Sequence, residues 1–343
     1  MTDLPYAWGG PVATGVLRSY PEDFQVTEQL AFEPSGQGEH VYLFIEKRCL
    51  NTQDVVKQLA KIYNVKPRDI GYAGLKDRNA VTRQWFSIIY PIKQLFNGAA
   101  IENEALSILK QTRHDKKLKI GTLKGNEFRI RIRQIDGNSV DIDQHLNHLK
   151  NKPIPNYYTE QRFGNQGGNI NKALALFNKE IKVKQRQLKG LYYSAARSYL
   201  FNLILAERVN AGNWHQAIPG DVMQFCDGQS FFAIDKVTED IRQRIDGGFI
   251  SPAGPLWGQG RSYSSKEALA IESKVLADWQ VLSQGLIDHK LNLNYRHFCM
   301  FVKQLAWNWF DDNDLIINFY LKRGSYATAY LREIINTRTP IIS

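Results

Sequence analysis

The sequence predicts an α+β chain, an αβ domain interrupted by a mostly helical α/β insertion of about 140 residues, an ordinary domain size. Three observations predict it. Short β-branched and aromatic runs dominate the first half, the texture turns helical after residue 152, and aromatic, strand-like runs return near residue 298. With 343 residues, 43% of them hydrophobic, the chain can bury at least one full core.

Each element follows from its local pattern. In "VYLFIEK", Val41, Leu43 and Ile45 alternate with Tyr42, Phe44 and Glu46, which predicts a strand, and "QWFSIIY" at 84–90 predicts another. Between them "NTQDVVKQLAKIYN" predicts a helix: Asn51 suits the N-cap, Asp54 the first turn, and Val55, Leu59 and Ile62 share one face. Pro67 follows, so the Gly-rich "GYAGLKD" falls on a loop between helix and strand. Residues 118–135, "LKIGTLKGNEFRIRIRQI", predict a hairpin turning at Lys124, Gly125 and Asn126. Beyond that turn Phe128, Ile130 and Ile132 point one way and Arg129, Arg131 and Arg133 the other. "NKPIPNYYTEQRFGNQGGN" opens the insertion, in which "YYSAARSYLFNLILAERV" and "KEALAIESKVLADWQVLSQGL" each predict a helix. The domain bounds read from this texture are 1–152 with 298–343, and 153–297 for the insertion.

The net charge of +10 and pI near 9.3 point to a polyanionic partner, nucleic acid first, with simple solubility as the alternative. Residues 110–133 hold nine Lys or Arg against two acids, and Lys179, Lys182, Lys184, Arg186 and Lys189 form a second cluster. If both clusters line one cleft they can follow a phosphate backbone; otherwise they are solvated faces. Aromatics interleave with these cations: Tyr157, Tyr158, Phe163, Tyr192, Tyr193, Trp257 and Tyr326. They offer base-stacking platforms, although most aromatics in any chain are core. Cys49, Cys226 and Cys299 have no metal-like spacing and suit a reducing cytoplasm. No apolar run approaches ~18 residues, and no leader pattern opens the chain, so membrane insertion and secretion are not expected.

Several catalytic signatures are absent. No Lys-Ser/Thr pair follows the glycines of "GYAGLKD", and no GxGxxG follows a strand. His145 and His148 can share a helical face but have no third ligand, and "YYSAARS" has Arg197 where a Ser-x-x-Lys enzyme needs lysine. Asp77 remains, one carboxylate among Lys76, Arg78 and Arg83. On residues alone it is either a surface ion pair or an anion held ready as a nucleophile.

"GYAGLKDRNAVTRQWFSI", "LKGNEFRI", "PNYYTEQRFG", "SAARSYLFNLILAERV", "GPLWG" and "GSYATAYLREII" resemble, in order and spacing, the TruD family of tRNA pseudouridine synthases. The resemblance runs over essentially the whole chain. It implies a pseudouridine-synthase catalytic domain with a mixed or antiparallel sheet, carrying a helical TRUD insertion. It implies isomerisation of a uridine in tRNA, typically uridine 13 of the D arm, in the cytoplasm, without cofactor or metal. The catalytic aspartate of G-[LQ]-K-D falls on Asp77, and residues associated with the target uridine fall on Phe24 of "PEDF", Asn126 of "KGN" and Tyr326 of "GSYAT". Phe128 is expected to stack on the base, with a core role as the alternative because it shares a face with Ile130 and Ile132. Two departures are visible: the basic residue before "PEDF", often lysine in relatives, is Arg18, the expected ion-pair partner of Asp77, and Tyr326 stands where many relatives have Phe. Lys76, Arg78, Lys116, Lys117, Lys119, Lys124 and Arg162 are expected on the RNA backbone, and a monomer is expected. The rival readings are a non-enzymatic tRNA chaperone and, less favoured for want of a Gly-rich donor loop, a methyltransferase.

Overall fold

The computed structural model describes residues 4–311 and 313–338, and the backbone divides into two units. One comprises residues 11–151, 302–327 and 334–338; the other comprises 4–10, 152–301 and 328–333. In the first, the chain runs β1 (Ala13–Leu17), β2 (Phe24–Leu30), β3 (His40–Arg48), α1 (Thr52–Ile62), β4 (Gly71–Tyr72), β5 (Val81–Ile89), β6 (Leu106–His114), β7 (Leu123–Asp136) and α2 (Ser139–Leu149). The second holds β8 (Pro153–Pro155), α3 (Glu160–Phe163), α4 (Gly168–Phe177), α5 (Arg186–Asn210), β9 (Val222–Phe225), β10 (Phe231–Ala233), α6 (Glu239–Asp246), β11 (Ile250–Leu256), α7 (Lys266–Asp278), α8 (Gln280–Asp288) and β12 (Asn294–His297). The chain closes with β13 (Cys299–Asp311), β14 (Asp314–Lys322), α9 (Ala327–Leu331) and β15 (Ile335–Arg338).

The first unit is built on a mixed sheet in the order β6-β3-β5-β2-β7-β14-β13, with β1 joining β7 and β15, and β4 joining β5. Among the described residues of this sheet only the β2–β5 and β1–β15 pairings are parallel. Helix α1 starts where Asp54 accepts the Asn51 N–H at 3.3 Å, and it buries Val55, Val56, Leu59 and Ala60 on Val41, Leu43, Ile45, Phe86 and Ile88. Val41, Leu43 and Ile45 are fully buried, each contributing roughly 1.5–3 kcal/mol by burial. On the other face of the same strands Tyr42, Trp85, Ala73 and Leu118 form a smaller cluster.

The hairpin expected at 118–135 does not form. Residues 123–136 are one continuous strand, paired with β2 on one side and β14 on the other. Gly125 serves close approach rather than a turn, because a Cβ there would lie 2.3 Å from the Leu321 carbonyl oxygen of β14. The turn comes earlier, at 119–122, where Thr122 N–H reaches the Lys119 carbonyl. Alternation along β7 is as read: Phe128, Ile130 and Ile132 are buried, while Arg129 is exposed and Arg131 and Arg133 are half-buried.

In the second unit α5 is the central helix, packed by α4, α7 and α8, beside the antiparallel sheet β10-β9-β11-β12. The expected single helix at 266–286 is two, broken at Trp279 (φ −118°, ψ 42°), whose ring packs edge-on against Tyr199 of α5 at 4.8 Å. Within this unit Arg208 and Asp221 form a buried ion pair at 2.7 Å, each about 2% exposed, and Arg208 also donates to Asn213 and Gln216. Asp221→Ala leaves that guanidinium buried without its counter-charge. Urea titration of the variant should show unfolding free energy lower by about 3–5 kcal/mol; a loss under ~1 kcal/mol contradicts the assignment.

Candidate active site

Asp77 lies on residues 73–80, between β4 and β5, outside every strand and helix. Side chains from the surrounding elements hold this segment. Lys76 reaches Glu28 of β2 at 2.5 Å, and both side chains are nearly or fully inaccessible. The second oxygen of Glu28 accepts the Trp85 N–H of β5 at 3.2 Å, so neither carboxylate oxygen is left unpaired. Gln84 of β5 donates to the Gly74 carbonyl at 3.1 Å, and Thr52 at the start of α1 accepts the Lys76 N–H at 3.0 Å while donating to Gln84. Lys47 of β3 donates from beneath to the Asp77 carbonyl at 2.9 Å and the Leu50 carbonyl at 2.5 Å. Gly71 enters this segment where a Cβ would lie 2.3 Å from the Leu118 carbonyl oxygen, so the loop is also seated by backbone contact.

The Asp77 carboxylate, one-third exposed, takes an ion pair from Arg18 Nη2 at 2.9 Å. Arg18 follows β1 in a left-handed conformation (φ 63°) and lays its guanidinium 4.1 Å over the Phe24 ring. The turn between them is locked by Asp23, nearly fully buried, which accepts the Tyr20 N–H and a two-pronged pair from Arg133 of β7 at 2.8–3.0 Å. Phe24 meets Phe128 edge-on at 6.2 Å, and Phe128 stacks on Phe319 of β14 at 5.3 Å. Asn126 lies two residues before Phe128, on the same face of β7, opposite Glu28. Among the described residues its buried amide oxygen has no hydrogen-bond partner. A carboxylate held by a cation beside an aromatic wall and an unsatisfied amide suits attack on a planar, polar ligand.

Asp77, Arg18, Phe24 and Phe128 are thus linked through one set of contacts in the first unit, and Asn126 lies two residues before Phe128 on the same strand. Tyr326 is half-buried, immediately before α9. The cations divide. Lys76 cannot serve a phosphate, since Glu28 neutralises it inside the core. Two arginines of the charge stripe are likewise committed internally, Arg133 to Asp23 and Arg131 to Asp314 at 2.6 Å. Arg78, Lys116, Lys119 and Lys124 are exposed, and Lys117 is half-buried with its ammonium on the Arg68 carbonyl. Lys124 and Lys110 border a groove of about 420 Å³ that also includes Trp85, Phe32 and Glu28. In the second unit Arg162 donates to Ser194 at 2.9 Å, and Tyr157, Tyr158 and Phe163 are core residues rather than stacking platforms. Sequence reasoning missed Glu28, Lys47, Thr52 and Gln84. For Lys47 a signal existed, since it continues the odd-numbered series Val41, Leu43, Ile45 onto the buried face of β3.

A family model described as tRNA pseudouridine synthase D (TruD) matches residues 3–183 and 169–334. A tRNA pseudouridine synthase D from Methylococcus capsulatus is 42% identical over 333 residues, covering 97% of this chain and 94% of the relative. One from Legionella pneumophila is 40% identical over 334 residues, covering 97% and 98%. A crystal structure of a candidate tRNA pseudouridine synthase D from Methanosarcina mazei has the same fold, with a TM-score of 0.70 over 96% of this chain and 95% of that one, at 21% identity.

Lys47 sets a pH dependence of stability. Its side chain is fully buried, and desolvation lowers its pKa from 10.5 to about 8 against the favourable charges of Asp77, Asp54 and Cys49. Between pH 8 and 10.5 the unfolded chain keeps a proton that the folded chain has released, so raising the pH favours the folded state through this group. The charged form at pH 7 costs up to about 3 kcal/mol. Denaturant titrations at pH 7 and pH 9.5 should show wild type gaining on Lys47→Met across that interval; a constant difference contradicts the assignment.

Proposed function

The chain belongs to the tRNA pseudouridine synthase D (TruD) family, and from that premise we propose that it isomerises a uridine of tRNA, position 13 of the D arm, with Asp77 as nucleophile. The observation that carries this reading is the Asp77 carboxylate itself, partly exposed and paired with Arg18 at 2.9 Å on a loop fixed by side chains of β2, β3, β5 and α1. Pseudouridine formation breaks the bond between C1′ and N1, turns the freed uracil and rejoins it through C5, with the C5 proton released and a proton taken up at N1. Nothing is oxidised and no group is imported, so the chemistry calls for no cofactor or metal. Asp77 attacks either C1′ of the ribose or C6 of the base, and the ion pair with Arg18 aims it.

Phe24, Phe128 and Tyr326 line the pocket for the flipped base, and the unpaired amide oxygen of Asn126 accepts from the polar edge of uracil. Phe128 keeps one side on Phe319, so stacking on the base uses what Phe319 and Phe24 leave open. Arg78, Lys116, Lys117, Lys119, Lys124 and Arg162 supply contacts to the RNA backbone, and the attraction offsets the few kcal/mol that extruding a base costs. Residues 1–152 and 298–343 make up the catalytic domain and 153–297 the insertion. The protein acts as a monomer in the cytoplasm; among the described residues no helix is long and apolar enough to cross a membrane.

Incubation with tRNA carrying 5-tritiated uridine should release tritium, and the product formed from unlabelled tRNA should keep the mass of the substrate. Asp77→Asn should lower turnover on the order of 10⁴-fold or more while tRNA binding stays within a few-fold of wild type. No release from any tRNA by the folded wild-type chain sinks the reading. A folding assay in which Asp77→Asn and wild type act on tRNA alike, without tritium release from either, supports the chaperone instead.

A further inference from the structure

We propose that Lys47 is a positioning residue for Asp77, holding the backbone of the nucleophile from inside the core and setting a fixed positive charge beneath it. The proposal rests on Asp77 being the nucleophile. No surface of Lys47 is accessible, so it touches no RNA and serves only what lies inside the protein. Among the described residues its hydrogen bonds go to two main-chain carbonyls, those of Leu50 and Asp77, and no carboxylate lies within ion-pair distance of its ammonium. An ammonium is a costly device for binding two carbonyls, because a neutral donor would do so without desolvating a charge.

What a charge adds is a field. Asp77 and Asp54 favour the ammonium and Lys76 opposes it, with Cys49 a minor favourable neighbour. Attraction is mutual, so the charge of Lys47 that Asp77 stabilises also draws Asp77 toward the core. Arg18 grips the carboxylate from the pocket and Lys47 grips the main chain of the same residue from the core. Between these two points the carboxylate has little freedom to turn, which is what attack on a single carbon requires.

The test uses the full-length protein and an unmodified tRNA transcript. Lys47→Met keeps the length of the stem and removes the charge. The expected result is a kcat lower by roughly 10²-fold, KM and tRNA Kd within threefold of wild type, and a melting temperature at pH 7 no lower than wild type. A merely structural lysine predicts the reverse, lost stability with kcat preserved in the molecules that remain folded. If Lys47→Met does not fold, Lys47→Gln, which retains a donor without the charge, takes its place; failure of both to fold makes Lys47 structural and overturns the proposal. A folded variant with kcat within threefold of wild type also overturns it. An active Asp77→Asn removes the nucleophile reading itself, whereas an inactive Asp77→Asn beside a fully active Lys47→Met overturns this inference alone.

Discussion

The buried ion pair between Lys76 and Glu28 is the constraint on which the rest of the site depends. Residues 73–80 have no ladder of their own, and a loop without one owes its shape to whatever its neighbours extend toward it. Glu28 provides the strongest such hold, at 2.5 Å and out of reach of water, and its other oxygen is fixed by β5. Removing either partner would leave a lone charge in the core, so the pair can only be kept whole. With Lys76 pinned, the next residue is bound to project where Arg18 meets it. The identity of one neighbour therefore determines where the Asp77 carboxylate can point.

Local patterning made much of this legible and hid the rest for identifiable reasons. The period of two in β3 and β7, the cap at Asn51 and the helix of α5 are short-range signals, and each reappears in the structure. Gly125 misled because a glycine between Lys and Asn has the composition of a turn, while its use is to let Leu321 of β14 come close, 196 positions further along. The charge stripe misled for a similar reason: Arg133 finds Asp23 across 110 positions and Asp314 across 181, and a local count sees neither. Lys76 looked like part of a phosphate-binding surface because its partner lies 48 positions upstream. Of the site, the motif residues were readable one by one; the scaffold that aims them was not, apart from the lysine that breaks the apolar face of β3.

Charge is used here in two distinct ways. Lys47, Lys76, Arg133 and Arg208 are drawn inward and satisfied by carbonyls or carboxylates, where they define geometry and add nothing to the field outside. Arg78, Lys116, Lys119 and Lys124 remain exposed. The net charge of +10 thus overstates how many cations lie free near the first unit's loops, and it is position rather than number that makes a basic chain specific.

The continuity of β7 has a consequence for how the chain is made. One side of that strand pairs with β1 and β2, which leave the ribosome first, but its other side waits for β14, and residues 152–301 of the second unit are translated in between. At 5–20 residues per second, the stretch of about 180 residues separating the two strands takes roughly 10–40 s to synthesise. For that interval the nascent sheet presents an open edge bearing Phe128, Ile130 and Ile132, the kind of unpaired strand that invites pairing between chains. A helical unit that folds locally and early shortens the exposure no further, so the newborn half-sheet is the stage at which a molecular chaperone or slow growth temperature has most to protect.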